Sequence, residues 1–222
     1  MKLENKMTSP QPLKIDIVSD VVCPWCVIGY RQLLQALNDT GTEFEIQWHP
    51  FELNPLMGSE GQSLREHVAE KYGTMREQSE KARENITAIG VEVGFQFVFT
   101  DNMRMHNTFK THQLLHWAEA YQKTHELKQA LFTAHFTNGR DLSDSTVLAE
   151  VAQDIGLEKE EALNVLKDQR FAEEVRRREL FWQQQDIDGV PSIIFKGKHL
   201  MVGAQGVENY AQFLKQLADK EN

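Results

Sequence analysis

The chain has 222 residues, 41% of them hydrophobic, and sets 24 basic against 33 acidic side chains for a net charge of −9. That acidic balance excludes a general affinity for nucleic acid or anionic membrane, because both attract basic surfaces. Two cysteines are too few for a disulfide framework, so the fold must rest on a hydrophobic core, for which the length suffices.

The opening MKLENKMTSPQP reads as a flexible tail over 1–12. It lacks an apolar leader, and no later run is apolar enough to span a bilayer, so the expected location is cytoplasmic. LKIDIV (13–18) has the β-branched enrichment and length of a buried strand. Cys23 and Cys26 follow on a turn. Val27, Tyr30, Leu33, Leu34 and Leu37 then recur at helical spacing, and Gly41 supplies a stop signal. FEIQWHPFEL (44–53) alternates as a second strand.

From Ser63 to about Asp186 the pattern is helical nearly throughout, with Gly73, Gly90, Gly139 and Gly156 as punctuation. One helix has both ends marked, by Ser143 or Asp144 as cap and by Gly156. FVFT interrupts the helices, with Phe95, Phe97 and Phe99 on one side of an extended stretch that fills the helical core or lines a groove. Glu173 and Glu174 precede Arg177 and Arg178 by four residues, so the run Arg176–Arg178 reads as an ion-paired helix face. After Gly189 the chain returns to strands, SIIF (192–195) and HLMVG (199–203), and closes with the amphipathic helix VENYAQFLKQLA (207–218). The two ends are each too short to bury a sheet. Segments 13–57 and 187–220 are therefore expected to pair into one discontinuous domain, with a helical domain over 58–186 inserted between them.

Cys23-Pro24-Trp25-Cys26 has three readings. As a staple it closes a ring worth only about 2 kcal/mol before strain. As a metal site it supplies two ligands where structural zinc wants four, and His112 and His116 at i, i+4 lack the glutamate a zinc protease needs. The redox reading has a physical basis: unpaired N–H groups and the positive end of the helix dipole favour thiolate at a helix start, and Pro24 suits the first turn. Cys23, the outer thiol, is the expected nucleophile, and Cys26, one turn deeper, the resolving thiol. Trp25 between them is expected to be exposed and to touch substrate. Far downstream, DGVPSIIF sets Pro191 just before a buried strand, where a proline forfeits a ladder hydrogen bond.

With SDVVCPWC (19–26), HPFELNP (49–55), HNTFKTH (106–112), GVPSIIF (189–195) and GAQ (203–205), the chain resembles the DsbA-like branch of the thioredoxin superfamily, within it the FrnE-type cytoplasmic oxidoreductases, from about 13 to 218. The resemblance implies an α/β, thioredoxin-like fold with a large helical insertion. It implies a cis peptide at Val190–Pro191, packed on the cysteines, with the preceding backbone holding substrate. It makes Asn107 a groove residue, although Thr111 stands where the family has alanine. It also calls for a buried acid near the first strand to take the Cys26 proton, for which Asp16 is the candidate, one residue off the usual spacing. The implied activity is thiol–disulfide exchange on protein or small-molecule thiols, without a bound cofactor or metal. Glutathione or a thioredoxin-like protein would recycle the pair, since no third cysteine exists. Two rival functions remain: a glutathione-dependent isomerase or transferase related to 2-hydroxychromene-2-carboxylate isomerase and kappa-class glutathione transferases, and a peptide-binding chaperone in which the thiols are secondary.

Overall fold

Leu13, Ile15 and Ile17 point to one face of the first strand and Asp16 and Val18 to the other, the period-2 alternation that lets a strand serve two packed layers. In the computed structural model, which describes residues 11–58, 60–73 and 76–219, this strand is β1 (Leu13–Ser19). It lies inside a four-stranded sheet of order β2-β1-β5-β6. β2 (Phe44–Pro50) runs parallel to β1, while β5 (Ser192–Phe195) is antiparallel to β1 and β6 (His199–Val202) antiparallel to β5. All four residues of β5 are buried, which explains its unbroken apolar run. Residues 1–10 of the expected tail lie outside the described residues.

α1 (Pro24–Thr40) and α9 (Val207–Asp219) cover one face of the sheet. Ile15, Ile17, Ile193 and Phe195 meet Leu33, Tyr210 and Leu214 there, in one cluster that also holds both cysteines. The opposite face is smaller: Val18, Ile187 and Ile194 pack with Phe51 and Trp182. Gly41 ends α1 in the left-handed conformation at φ 64°, where a side chain would be strained.

Between β2 and β5 the described chain is almost wholly helical. α2 (Leu64–Tyr72) and α3 (Arg76–Glu92) come first, preceded and followed by the short antiparallel strands β3 (Gln62–Ser63) and β4 (Arg104–Met105). Then come α4 (Phe109–Ala118), α5 (Thr124–Phe136), α6 (Ser145–Asp154), α7 (Lys159–Asp168) and α8 (Ala172–Gln183). α4 to α7 enclose a second core around Leu114, Leu127, Leu131 and Val165. Asp144 caps α6 by accepting the Thr146 N–H at 2.7 Å, as its sequence signal predicts.

Gly90 departs from its expected role. It lies inside α3 rather than after it, because an added Cβ would meet the Phe97 ring at 2.4 Å and the Phe95 carbonyl at 2.8 Å. The glycine lets the extended Phe95–Phe99 stretch lie against the helix. Phe95 and Phe97 are buried in the sheet-side core with Phe136. The arginine run divides similarly. Arg177 and Arg178 pair with Glu174, while Arg176 reaches across to the buried Glu52.

Candidate active site

β1 ends at Ser19, and Asp20 turns the chain into α1. Its buried carboxylate accepts the Val21 N–H at 2.7 Å and the Leu53 N–H at 2.8 Å, so one side chain ties the cysteine turn to the segment after β2. Cys23 is the residue immediately before α1, with extended backbone (φ −96°, ψ 111°), and Pro24 takes the first helical position. The Cys26 N–H donates to the Cys23 carbonyl at 3.1 Å, closing the turn between the two residues. Both thiols are free. Cys23 keeps 4% of its surface exposed and Cys26 none.

The Val190–Pro191 peptide is cis. The Cys23 sulfur lies 3.7 Å from the Val190 carbonyl oxygen, within reach of its S–H. Pro191 seats on α1, where Gly29 makes room: a Cβ there would be 3.0 Å from Pro191 Cγ. The Pro191 carbonyl also accepts the Gly203 N–H at 2.7 Å, fixing the loop from the strand side.

The two sulfurs act on each other's ionisation. The hydrogen bond that Cys23 gives to Cys26, followed by burial, holds the Cys23 thiol well above the ordinary range. Burial alone would raise Cys26 as well, but the Cys23 donor, the positive charge of Lys128 and the Ser19 hydroxyl together bring it below that range.

Lys128, from α5, is itself 1% exposed. Its ammonium donates to the Ser19 carbonyl at 3.2 Å and lies 5.4 Å and 5.2 Å from the ring centres of Trp48 and Phe132. Burial lowers it to about 8, against the opposing pull of Cys26 and Asp20. His112 Nε2 contacts the Phe51 carbonyl at 3.0 Å and Asp20 at 3.4 Å, which makes it a bound core histidine of the turn.

Cys23, Trp25 and Val190 open onto a cavity of about 470 Å³ between the sheet domain and the helices. Its walls are apolar, with Leu64, Ile86, Phe99, Met103 and Phe136 among them. Phe99 thus takes the groove position that the other two phenylalanines do not. His67, Lys71 and Arg83 also line this cavity, and buried His135 contributes a ring nitrogen, Nε2, without a partner. Lys71 donates to the Leu53 carbonyl at 2.8 Å and to Asn54 at 2.7 Å.

Two expected site residues are elsewhere. Asp16 faces the opposite side of the sheet from Cys26, because strand parity sends it away from α1; its carboxylate is bound to His49 at 2.7 Å. Asn107 does not line the cavity. It accepts the Phe109 N–H at 3.0 Å and donates to the Met57 carbonyl at 3.2 Å, a cap at the start of α4. The buried charges near the thiols are instead Asp20 and Lys128. Lys128 was readable in principle: it occupies the apolar stripe of α5 beside Leu127, Leu131 and Phe132, where a lysine is out of place.

Among known proteins, the family described as "DSBA-like thioredoxin domain" matches residues 14–215. A relative from Bacillus subtilis (strain 168), "Uncharacterized protein YwbO", is 27% identical over 213 residues, 93% of this chain and 96% of its own. The solved structure of the "probable DsbA oxidoreductase SCO1869" from Streptomyces coelicolor is similar with a TM-score of 0.86 and 30% identity, over 92% of this chain and 89% of that one. A 2-hydroxychromene-2-carboxylate isomerase shares the fold, with a TM-score of 0.69 and 14% identity over 94% of this chain and 97% of its own.

Proposed function

Because the chain belongs to the DSBA-like thioredoxin domain family, we propose that it is a thiol–disulfide oxidoreductase acting through Cys23 and Cys26. The observation that carries this reading is the pair itself: two free thiols one turn apart at the start of α1, with the outer one opening onto a cavity. The Cys23 proton can move to Cys26, leaving thiolate on the sulfur that faces the cavity. That thiolate attacks one sulfur of a bound disulfide. A Cys23–substrate disulfide forms, and the departing thiolate carries off the electron pair and takes a proton from solvent. Cys26 then gives its proton to solvent and attacks Cys23 Sγ, closing the Cys23–Cys26 disulfide and expelling the second substrate sulfur as a thiolate, which takes up a proton. Two electrons pass from the cysteine pair to the substrate; run backwards, the same steps oxidise a dithiol.

With two cysteines in all, the chain has no internal relay, so glutathione or a thioredoxin-like protein resets the pair in a cytoplasmic setting, as FrnE-type enzymes would. Trp25 and the Val190–Pro191 segment hold the substrate at the cavity mouth. Among the described residues, no helix is long and apolar enough to cross a membrane.

The cavity also suits a small apolar molecule, which favours a glutathione-dependent isomerase as a second reading. Cys23→Ser separates the two. Equilibration of the protein with a glutathione redox series should give a single two-electron transition between dithiol and disulfide, and Cys23→Ser should abolish insulin reduction. Activity towards disulfides that survives in Cys23→Ser would overturn the exchange mechanism; isomerase activity retained with serine would favour the second reading.

A further inference from the structure

The cavity beside Cys23 holds polar atoms that folding leaves unused. Among the described residues, two on its wall carry a buried side-chain atom with no hydrogen-bond partner: His135, at Nε2, and Asn54, at Nδ2. Such an atom costs free energy unless something meets it, and native interiors keep few of them. Packing does not call for the imidazole. The His135 ring is 1% exposed and lies edge-on to Phe136 with ring centres 4.6 Å apart, where an apolar ring would serve as well.

The two atoms are opposite in kind. Lys71 donates to Asn54 Oδ1 at 2.7 Å, which marks that oxygen as the acceptor and leaves Nδ2 as a donor. Burial holds His135 at about 3, so near neutral pH one ring nitrogen carries a proton and the other a lone pair. The Arg140 backbone pulls the other way, towards the protonated ring, which is the effect of a ring N–H given to a carbonyl. Nε2 has no partner, so that N–H belongs to Nδ1 and Nε2 is a bare acceptor. His106, whose ring centre is 6.1 Å away, sets its Nδ1 2.9 Å from the Asp141 carboxylate instead.

Around these two atoms the wall is mostly apolar, and a volume of about 470 Å³ suits a small organic molecule. Two of the cationic side chains on the wall already have partners: His67 meets Gln62 at 2.9 Å, and Lys71 also donates to the Leu53 carbonyl at 2.8 Å. We propose that the cavity is a binding site for a compact, largely apolar molecule carrying a neutral amide or lactam, whose N–H is accepted by His135 Nε2 and whose carbonyl accepts from Asn54 Nδ2. No bond is made or broken, so the inference stands whether or not the thiols exchange.

The test uses 2-quinolinone, an aromatic lactam without sulfur, and 1-methyl-2-quinolinone, which keeps the carbonyl and lacks the donor. Calorimetric titration of the full native chain should find the lactam bound roughly fivefold more tightly, the worth of one net hydrogen bond. Equal affinities, or no binding of either, overturn the proposal, because water alone then serves Nε2. His135→Phe should bring the two affinities together; a variant that weakens both and keeps their ratio shows a merely structural role and overturns it. Asn54→Asp keeps an acceptor for Lys71 but removes the donor, so it should weaken both probes; unchanged affinities overturn the two-point site. 2-Naphthoate offers an anion to Arg83, the remaining cation of the wall, and should bind more weakly than the lactam. Tighter binding of the anion overturns the choice of a neutral ligand. Should His135→Phe not fold, the nitrogen-15 resonance of His135 Nε2 in the native chain decides. The lactam should shift it and the methylated form should not, and a resonance unmoved by the lactam overturns the proposal.

Discussion

Gly29 and Pro191 touch across the gap between α1 and the start of β5: a single added carbon on Gly29 would stand 3.0 Å from Pro191 Cγ and 3.4 Å from the Ala204 backbone. The helix that carries the thiols and the loop that faces them are therefore spaced by the absence of one methyl group. Gly29→Ala gains about 1 kcal/mol of helix propensity and loses a similar amount or more to overpacking. Its unfolding midpoint should shift little, while the Val190 carbonyl moves relative to Cys23. Misplacement of this kind can cost on the order of a hundredfold in rate. Disulfide turnover should fall at least several-fold; turnover equal to that of the native chain would show that the spacing does not matter.

Cys23 should react with iodoacetamide much faster than Cys26. The lowered group is Cys26, yet only Cys23 has surface facing the cavity, and proton exchange between the sulfurs delivers thiolate to it. Mass spectrometry of briefly treated protein should find the label on residue 23. Equal labelling would mean that the helix start opens enough to expose both.

Asp16 and Asp20 should behave oppositely. Asp16→Ala loses one partly exposed contact to His49, worth about 0–1 kcal/mol, and leaves both exchange steps unchanged. Asp20→Ala strands two backbone N–H donors and leaves Lys128 without its carboxylate neighbour, a loss of about 3–5 kcal/mol. Denaturant unfolding of the two variants would show the contrast, and comparable losses would contradict the placement of Asp16.

His135 predicts a dependence on acid. Burial first, and then His106, depress it to about 3, so the folded chain leaves it neutral where the unfolded chain, at about 6.5, binds a proton. Between those values the unfolded state holds more protons, so stability must fall as pH drops from 6.5 towards 3, by up to about 1.4 kcal/mol per unit. His135→Phe should flatten this part of the stability profile. An identical slope in the variant would assign the acid sensitivity to other groups.

Much of the fold was legible because alternation and helical spacing are strong where one face is buried. The strands at 13–18 and 192–195 and the helix that begins at Pro24 follow directly from such patterns. What escaped depends on distance in space. Glycine marks both helix ends and close approaches, and Gly90 is the second kind, which only the Phe97 ring reveals. Asp16 fits a nominal spacing but has the wrong parity for the α1 side of the sheet. Lys128 breaks the apolar stripe of α5, yet nothing in the sequence says that its ammonium meets the carbonyl of Ser19, 109 positions earlier in the chain.

Cys23 and the Val190 carbonyl that it meets are separated by 167 positions. During synthesis, β1, α1 and β2 leave the ribosome early, and the helices follow one by one, each able to form from local contacts. β5 arrives almost last, and until it does β1 has one open side and the thiols have no lid from Val190 and Pro191. A nascent chain thus carries its cavity-facing sulfur uncovered for most of its making. Only the closing strand brings the pair under the protein's own control.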